Sequence, residues 1–347
     1  MNNFERQIMI IFTSTALLVW RVLIFNRKIK IGVDKRFHIV YIVHARYTQY
    51  AQSGWKETIM DMLKVTNLNK RYEKFHLKDV SFTLDKGYIM GFIGANGAGK
   101  TTTLKSILGL VHADSGEISV LGNDFAQNEM ALKQQIGFMF GGVDYYAKQR
   151  MSAVTDVVRR FYQTWDDAEY QRCLKKFDLD ENKKIEELSD GMKVKYALTL
   201  ALSHKAELFL LDEPTSGLDP VARDELLELF QELIEDGDRS ILFSTHITSD
   251  LEKCADFITY IENGRIVASE TKDDLIAMYR IVKGAKNELE RIRPNLISYK
   301  KHSFGFTGLI KTDNLPGGMD LVAEAPTLEE IMIYHAKKEA DNETAVI

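Results

Sequence analysis

The run Gly94-Ala95-Asn96-Gly97-Ala98-Gly99-Lys100-Thr101 constrains this chain more than any other. It matches G-x-x-x-x-G-K-[ST], a pattern that carries meaning only between a strand and a helix. Both flanks read that way. Tyr88 to Ile93 is a short apolar run bounded by Gly87 and Gly94, as a buried strand should be. Thr102 to Leu110 has helix-like spacing. Glycines let the backbone turn with successive N–H groups pointing inward, which forms an anion nest at a helix N-terminus. Lys100 then supplies a point charge between terminal phosphates. The Thr101 hydroxyl suits Mg²⁺, which keeps most of its waters and needs few protein ligands. A plain glycine turn beside a surface lysine is the competing interpretation, and it leaves the strand and helix without a purpose.

Two further apolar strands end in polar chemistry. Glu207 to Leu211 is followed by Asp212-Glu213-Pro214. Two carboxylates at the end of a buried strand are costly unless they meet a cation or a partner. At the C-terminal end of a parallel strand they can face the phosphate loop. Asp212 would hold Mg²⁺ through water, and Glu213 would polarise an attacking water as general base. Ser240 to Phe243 ends in Ser244-Thr245-His246. A lone histidine is usually an ordinary surface or core residue, so it is the position of His246 that suggests contact with a γ-phosphate and the water.

Bulk properties bound the rest. The chain has 347 residues, 45% hydrophobic and 27% charged, which is enough for a large domain with an appendage. Its net charge of −5 gives no sign of a general nucleic-acid footprint. The two cysteines, Cys173 and Cys254, fit a reducing compartment and argue against a disulfide framework or thiolate metal cluster.

With these residues in place the chain resembles the ABC ATPases. Leu188-Ser189-Asp190-Gly191-Met192 is similar to the signature motif LSGGQ and lies at the family's distance before Asp212. Asp212 to Pro220 resembles the Walker B end and D-loop, Ser244 to His246 the H-switch, and Lys70-Arg71-Tyr72 the aromatic A-loop. The resemblance spans residues 60 to about 270. It implies an α/β fold, a P-loop NTPase of the ABC ATPase type, with an antiparallel β subdomain, a helical subdomain at about 142–202, and a small α+β C-terminal extension. It also implies a head-to-tail dimer with a second ABC ATPase subunit, identical or homologous. In that dimer Tyr72 stacks on adenine, and residues Gly94, Ala95, Asn96, Gly97, Ala98, Gly99, Lys100, Thr101 and Thr102 hold ATP. Ser189 and Gly191 of the other subunit close over it, with Asp219 communicating between sites. Thr101 and Asp212 are the implied Mg²⁺ residues, and Glu213, His246 and Lys100 the catalytic ones.

Two departures stand out. Asp190 replaces the usual first glycine of the signature and Met192 its glutamine. Gly141 stands where the Q-loop glutamine is expected, so that Asp144, Gln149 or a water would take its place.

The ends read differently from the middle. Ile8 to Trp20 is an uncharged, mostly apolar run, followed by Arg21 and a basic stretch. About twenty clean apolar residues are needed to cross a bilayer, so a membrane anchor competes with a simpler expectation. Residues 1–59 would then be read through from upstream DNA, with translation starting at Met60 or Met62. In the tail, Tyr279 to Val282, Phe304 to Lys311 and Met319 to Ala323 are expected to be strands. Asn287 to Ile297 and Thr327 to Ala340 are expected to be helices, the second opened by a Thr327–Glu330 capping box. This tail resembles that of ABC-2-type ATPases, a branch commonly involved in export. The expectation is an ATP-hydrolysing subunit at the cytoplasmic face of a membrane, driving a separate multispanning permease, since no stretch in 60–347 is long enough to span one. The competing readings are a soluble ABC ATPase and a nucleotide-sensing subunit that barely hydrolyses.

Overall fold

The computed structural model describes residues 61–140, 146–317 and 321–344. The expectations for residues 1–59, Gly141 and Asp144 lie outside the described residues. β1 (Asp61–Arg71) and β2 (His76–Asp85) form an antiparallel pair that turns Leu63, Val65, Leu77, Val80 and Phe82 inward. β3 (Ile89–Ile93) is buried along its whole length, as a parallel strand covered on both faces must be. The glycine loop follows, and α1 (Lys100–Ile107) begins at Lys100 rather than Thr102. The loop's own lysine and threonine complete its first turn, and the Thr103 N–H already bonds the Gly99 carbonyl at 2.9 Å.

β4 (Ser115–Val120) returns to β1, and the short β5 (Asn123–Asp124) closes a four-stranded antiparallel sheet of order β2-β1-β4-β5. The Asp124 side chain caps α2 (Phe125–Lys133), which leads to β6 (Ile136–Met139). The helical stretch then runs through α3 (Met151–Val158), α4 (Asp167–Lys176) and α5 (Asp190–Ser203). After it the chain alternates: β7 (Leu208–Asp212), α6 (Pro220–Ile234), β8 (Ser240–Thr245), α7 (Thr248–Cys254), β9 (Phe257–Glu262) and β10 (Arg265–Thr271).

Six of these strands make the central sheet in the order β10-β9-β3-β8-β7-β6, parallel except for β10. Side chains alternate across it, so its two faces join different cores. Met90, Phe92, Leu208, Leu210 and Leu242 face the antiparallel sheet and α1. Ile89, Phe209, Leu211, Ile241 and Phe243 face α5 and α6. The C-terminal ends of β3, β7 and β8 lie side by side, so the glycine loop, Asp212-Glu213 and His246 emerge at one rim.

The tail is α8 (Lys272–Ala277), β11 (Tyr279–Ala285), α9 (Lys286–Ile292), β12 (Leu296–His302), β13 (Gly305–Lys311), β14 (Val322–Glu324) and α10 (Leu328–Thr344). Its sheet has the order β12-β13-β11-β14. The helix expected through Ile297 stops at Ile292. Pro294 has no N–H to continue the ladder, and the chain passes through a 3₁₀ turn at Arg293–Asn295 into β12. The capping box is present: the Thr327 N–H donates to Glu330 Oε2 at 2.9 Å and the Glu330 N–H to Thr327 Oγ1 at 3.1 Å. Leu328, Ile331 and Tyr334 of α10 pack into the main core, not into the tail's own small cluster around Val282, Ile292 and Phe306. Ile331→Ala is therefore expected to lower stability of the whole ATPase unit by about 2–5 kcal/mol, read as a lower urea midpoint for the principal unfolding transition.

Candidate functional site

The glycine loop is held by close approaches of backbone to its neighbours. Gly99 adopts φ 117° at the N-cap of α1, where a side chain would press on Leu77 and Phe75. A Cβ on Gly94 would lie 2.3 Å from the Ile261 carbonyl oxygen. Lys100 is 6% exposed. Its Nζ donates to the Gly94 carbonyl at 2.9 Å and lies 3.2 Å from Glu213 Oε1. The Thr101 hydroxyl donates to Asp212 Oδ2 at 2.8 Å.

Behind these stands a residue the sequence reading did not single out. Ser244 Oγ donates to Asp212 Oδ1 at 2.6 Å and accepts the Glu213 N–H at 3.0 Å. Asp212 and Ser244 are register partners on adjacent parallel strands, which places the hydroxyl there. The signal was available in the triplet Ser244-Thr245-His246, but pairing across strands is needed to read it.

Glu213 sits at φ 52°, in the left-handed region that non-glycine residues seldom occupy. Such strain persists where surrounding structure over-determines it, commonly at functional sites. The turn aims its carboxylate outward: Oε1 meets Lys100 and Oε2 lies 2.8 Å from His246 Nδ1. An ionised carboxylate only accepts, so Nδ1 carries the proton in this contact. Glu213 is 24% exposed and His246 45%, which leaves their shared edge open to water.

The other expected residues lie apart from this cluster. Ser189 caps α5, its Oγ accepting from the Met192 N–H at 3.2 Å, and Gly191 sits in that first turn. Asp190 is exposed and lies 3.2 Å from Lys193 Nζ. Asp219 caps α6, accepting from the Val221 and Ala222 N–H groups at 2.9 and 3.1 Å. Tyr72 lies in the turn after β1, 44% exposed, with Lys70 Nζ 5.7 Å from its ring centre. Ala95, Asn96 and Gly97 form the exposed crest of the glycine loop. Gln149 is exposed, and its backbone bonds the Tyr146 carbonyl and the Ile185 N–H. Among the described residues, no hydrogen bond or ion pair joins Ser189, Asp219 or Gln149 to Glu213 or Asp212.

A second feature lies where β6 meets the helical stretch. A groove of about 530 Å³ is lined by Phe138, Met139, Tyr146, Val158, Phe161 and Leu200, among others. Phe138 is 49% exposed and Phe161 71%. At its wall the Tyr162 ring stacks on His204 at 3.7 Å, and His204 Nδ1 lies 3.0 Å from the Gln134 carbonyl oxygen. Burial pushes the His204 imidazole down to about 4.

Comparison with known proteins agrees with this geometry. A family profile described as "ABC transporter" matches residues 77–216. The chain is 34% identical over 219 residues to the ABC transporter ATP-binding protein YtrB of Bacillus subtilis, covering 63% of this chain and 75% of that one. The chain belongs to the ABC transporter ATP-binding proteins. It is 36% identical over 218 residues to the Nod factor export ATP-binding protein I of Burkholderia lata, covering 60% of this chain and 71% of that one. A solved structure titled as the ATP binding subunit of an ABC transporter superposes with a TM-score of 0.56 at 32% identity, covering 62% of this chain and 91% of that one. The fold is that of an ABC ATPase, and the chain is an ATP-binding, ATP-hydrolysing transporter subunit. No helix among the described residues is long and apolar enough to cross a membrane.

Two outcomes follow from the geometry. Ser244→Ala removes a hydrogen bond to a carboxylate, worth about 1.5–3 kcal/mol, and should slow ATP turnover roughly ten- to a hundredfold in a steady-state phosphate-release assay. His204 is pulled below its unfolded value of about 6.5, so between about 6.5 and about 4 the unfolded chain holds more protons than the folded one. Its contribution to stability is complete above the upper value and lost as pH falls toward the lower. Melting temperatures taken from pH 7 to 4 should fall less steeply for His204→Gln than for the wild type.

Proposed function

We propose that this chain binds ATP on the Gly94–Thr102 loop and hydrolyses it with Glu213 as general base, driving a separate exporter permease. One observation carries the catalytic assignment: a strained Glu213 whose carboxylate is held between Lys100 and His246, at the edge of the phosphate loop. Successive loop N–H groups and Lys100 bind and orient the terminal phosphates. Tyr72 offers its exposed ring for stacking on the base. Glu213 accepts a proton from the attacking water, while His246 orients that carboxylate from its other oxygen.

The residues also fit Mg²⁺. Thr101 Oγ1 and Asp212 Oδ2 are hard oxygen donors 2.8 Å apart, and Ser244 fixes the far carboxylate oxygen. These two residues would hold the ion, which when bound neutralises charge on the phosphates.

Ser189 and Gly191 stand at the N-terminus of α5, where free N–H groups and the helix dipole favour an anion. Their separation from Glu213 within one chain supports a head-to-tail dimer in which each copy closes the other's site. The apolar groove beside β6, with Phe138 and Phe161 exposed, supports docking of an apolar helix from the permease at the cytoplasmic membrane face. Similarity to a protein named for Nod factor export favours an exporter of the ABC-2 branch. In this reading residues 60–280 are the ATPase domain, about 142–202 its helical part, 281–347 an accessory region, and 1–59 an extension outside it.

Glu213→Gln should reduce hydrolysis at least a hundredfold while leaving ATP affinity within a few-fold of wild type, by turnover and equilibrium binding. Equal rates for the two proteins would reject Glu213 as the base. Gentle solubilisation of membranes holding the C-terminally tagged chain should recover a multispanning protein with it.

A further inference from the structure

A buried acid stands behind Glu213 and His246. Asp250, in the first turn of α7, is 1% exposed. The hydroxyl of Thr215, itself fully buried, donates to Asp250 Oδ2 at 2.6 Å. From α6, Arg223 Nε lies 4.0 Å from Oδ1. Burial pushes the Asp250 carboxyl above the usual carboxylate range, and Glu213 adds to that rise, while Thr215, Arg223 and His246 pull it back down.

A carboxylate is a costly way to fill an apolar space. What it does here is join three segments. Thr215 lies inside the tight turn that begins with Glu213 at the end of β7 and is closed by the Ser216 N–H on the Glu213 carbonyl at 3.1 Å. Arg223 belongs to α6, the helix capped by Asp219. Asp250 itself sits on the helix that starts just after His246. The Glu213 turn needs holding, because its first residue is in a left-handed conformation. Ser244 fixes its start through the Glu213 N–H, and Thr215 fixes its interior through Asp250.

We infer that Asp250 is a positioning residue for hydrolysis, keeping Glu213 and His246 in register through its bond to Thr215. The same carboxylate also lies 4.0 Å from Arg223 Nε on α6. This inference rests on the reading of Glu213 as general base.

The test uses the full-length chain at a temperature well below melting, with steady-state turnover over a range of ATP concentrations and binding of a fluorescent ATP analogue. Thr215→Val keeps the volume and removes the hydroxyl, whereas Thr215→Ser keeps the hydroxyl and removes a methyl. A packing role predicts that Thr215→Val is harmless and Thr215→Ser the more damaging. A positioning role predicts the reverse order. The expected result is a kcat at least fivefold lower for Thr215→Val, with KM and analogue affinity within twofold of wild type, and Thr215→Ser within threefold of wild-type kcat. Asp250→Asn should match Thr215→Val, and if it does not fold, the two threonine variants decide. The inference is overturned if Thr215→Val retains more than a fifth of wild-type kcat, if Thr215→Ser is as slow as Thr215→Val, or if affinity falls in step with kcat. Failure of the underlying reading looks different, because Glu213→Gln would then hydrolyse ATP as fast as wild type whatever Thr215 does.

Discussion

The parallel register of β7 on β8 is the constraint on which the site depends. It sets Asp212 opposite Ser244 and leaves Glu213 one residue, and His246 two residues, beyond that last pair. It also forces alternation through the sheet, sending Phe209 and Leu211 to one core and Leu208 and Leu210 to the other. A one-residue slip would exchange the residues packed in the two cores and part Asp212 from Ser244. Chemistry and packing are therefore secured by the same ladder. The pairing of β3 with β8 extends that ladder to the glycine loop, with Ile93 opposite Thr245.

Around that rim the described charged groups are held by one another and by hydroxyls. Lys100 faces Glu213, Glu213 faces His246, and Asp212 accepts from two hydroxyls. Asp250 meets Thr215 and Arg223 one layer further in. Each contact ties residues from different strands or helices, so each reports on the alignment of its neighbours. Networks of this kind are stiff when complete and expensive when broken.

Much of this was legible in the sequence wherever chemistry is local. The glycine loop, the carboxylate pair after β7 and the cap of α10 are short-range patterns with a physical reason at every position. His246 was expected at a strand end and lies just past β8, and Tyr72, expected from the family resemblance, lies in the turn after β1. Ser244 and Asp250 were missed for the opposite reason: their roles exist only across strands and between helices, and a serine or aspartate alone carries no signal. β12 was hidden because Lys300, Lys301 and His302 at its exposed end interrupt the alternation, and because the break at Arg293–Asn295 lies inside the run expected to be helical. The groove beside β6 was invisible because its walls come from distant segments. Its exposed Phe138 lies within an otherwise ordinary strand.

The seating of α10 in the main core bears on how the protein is made. Leu328, Ile331 and Met332 border the same small space as Ile93, Leu251 and Tyr260, beneath the strand that feeds the glycine loop. A chain emerging from a ribosome completes its central sheet long before those residues appear, and until then the part of that apolar face under α10 lacks its cover. Core surface that α10 covers in the finished molecule is in that interval open to chaperones or to aggregation.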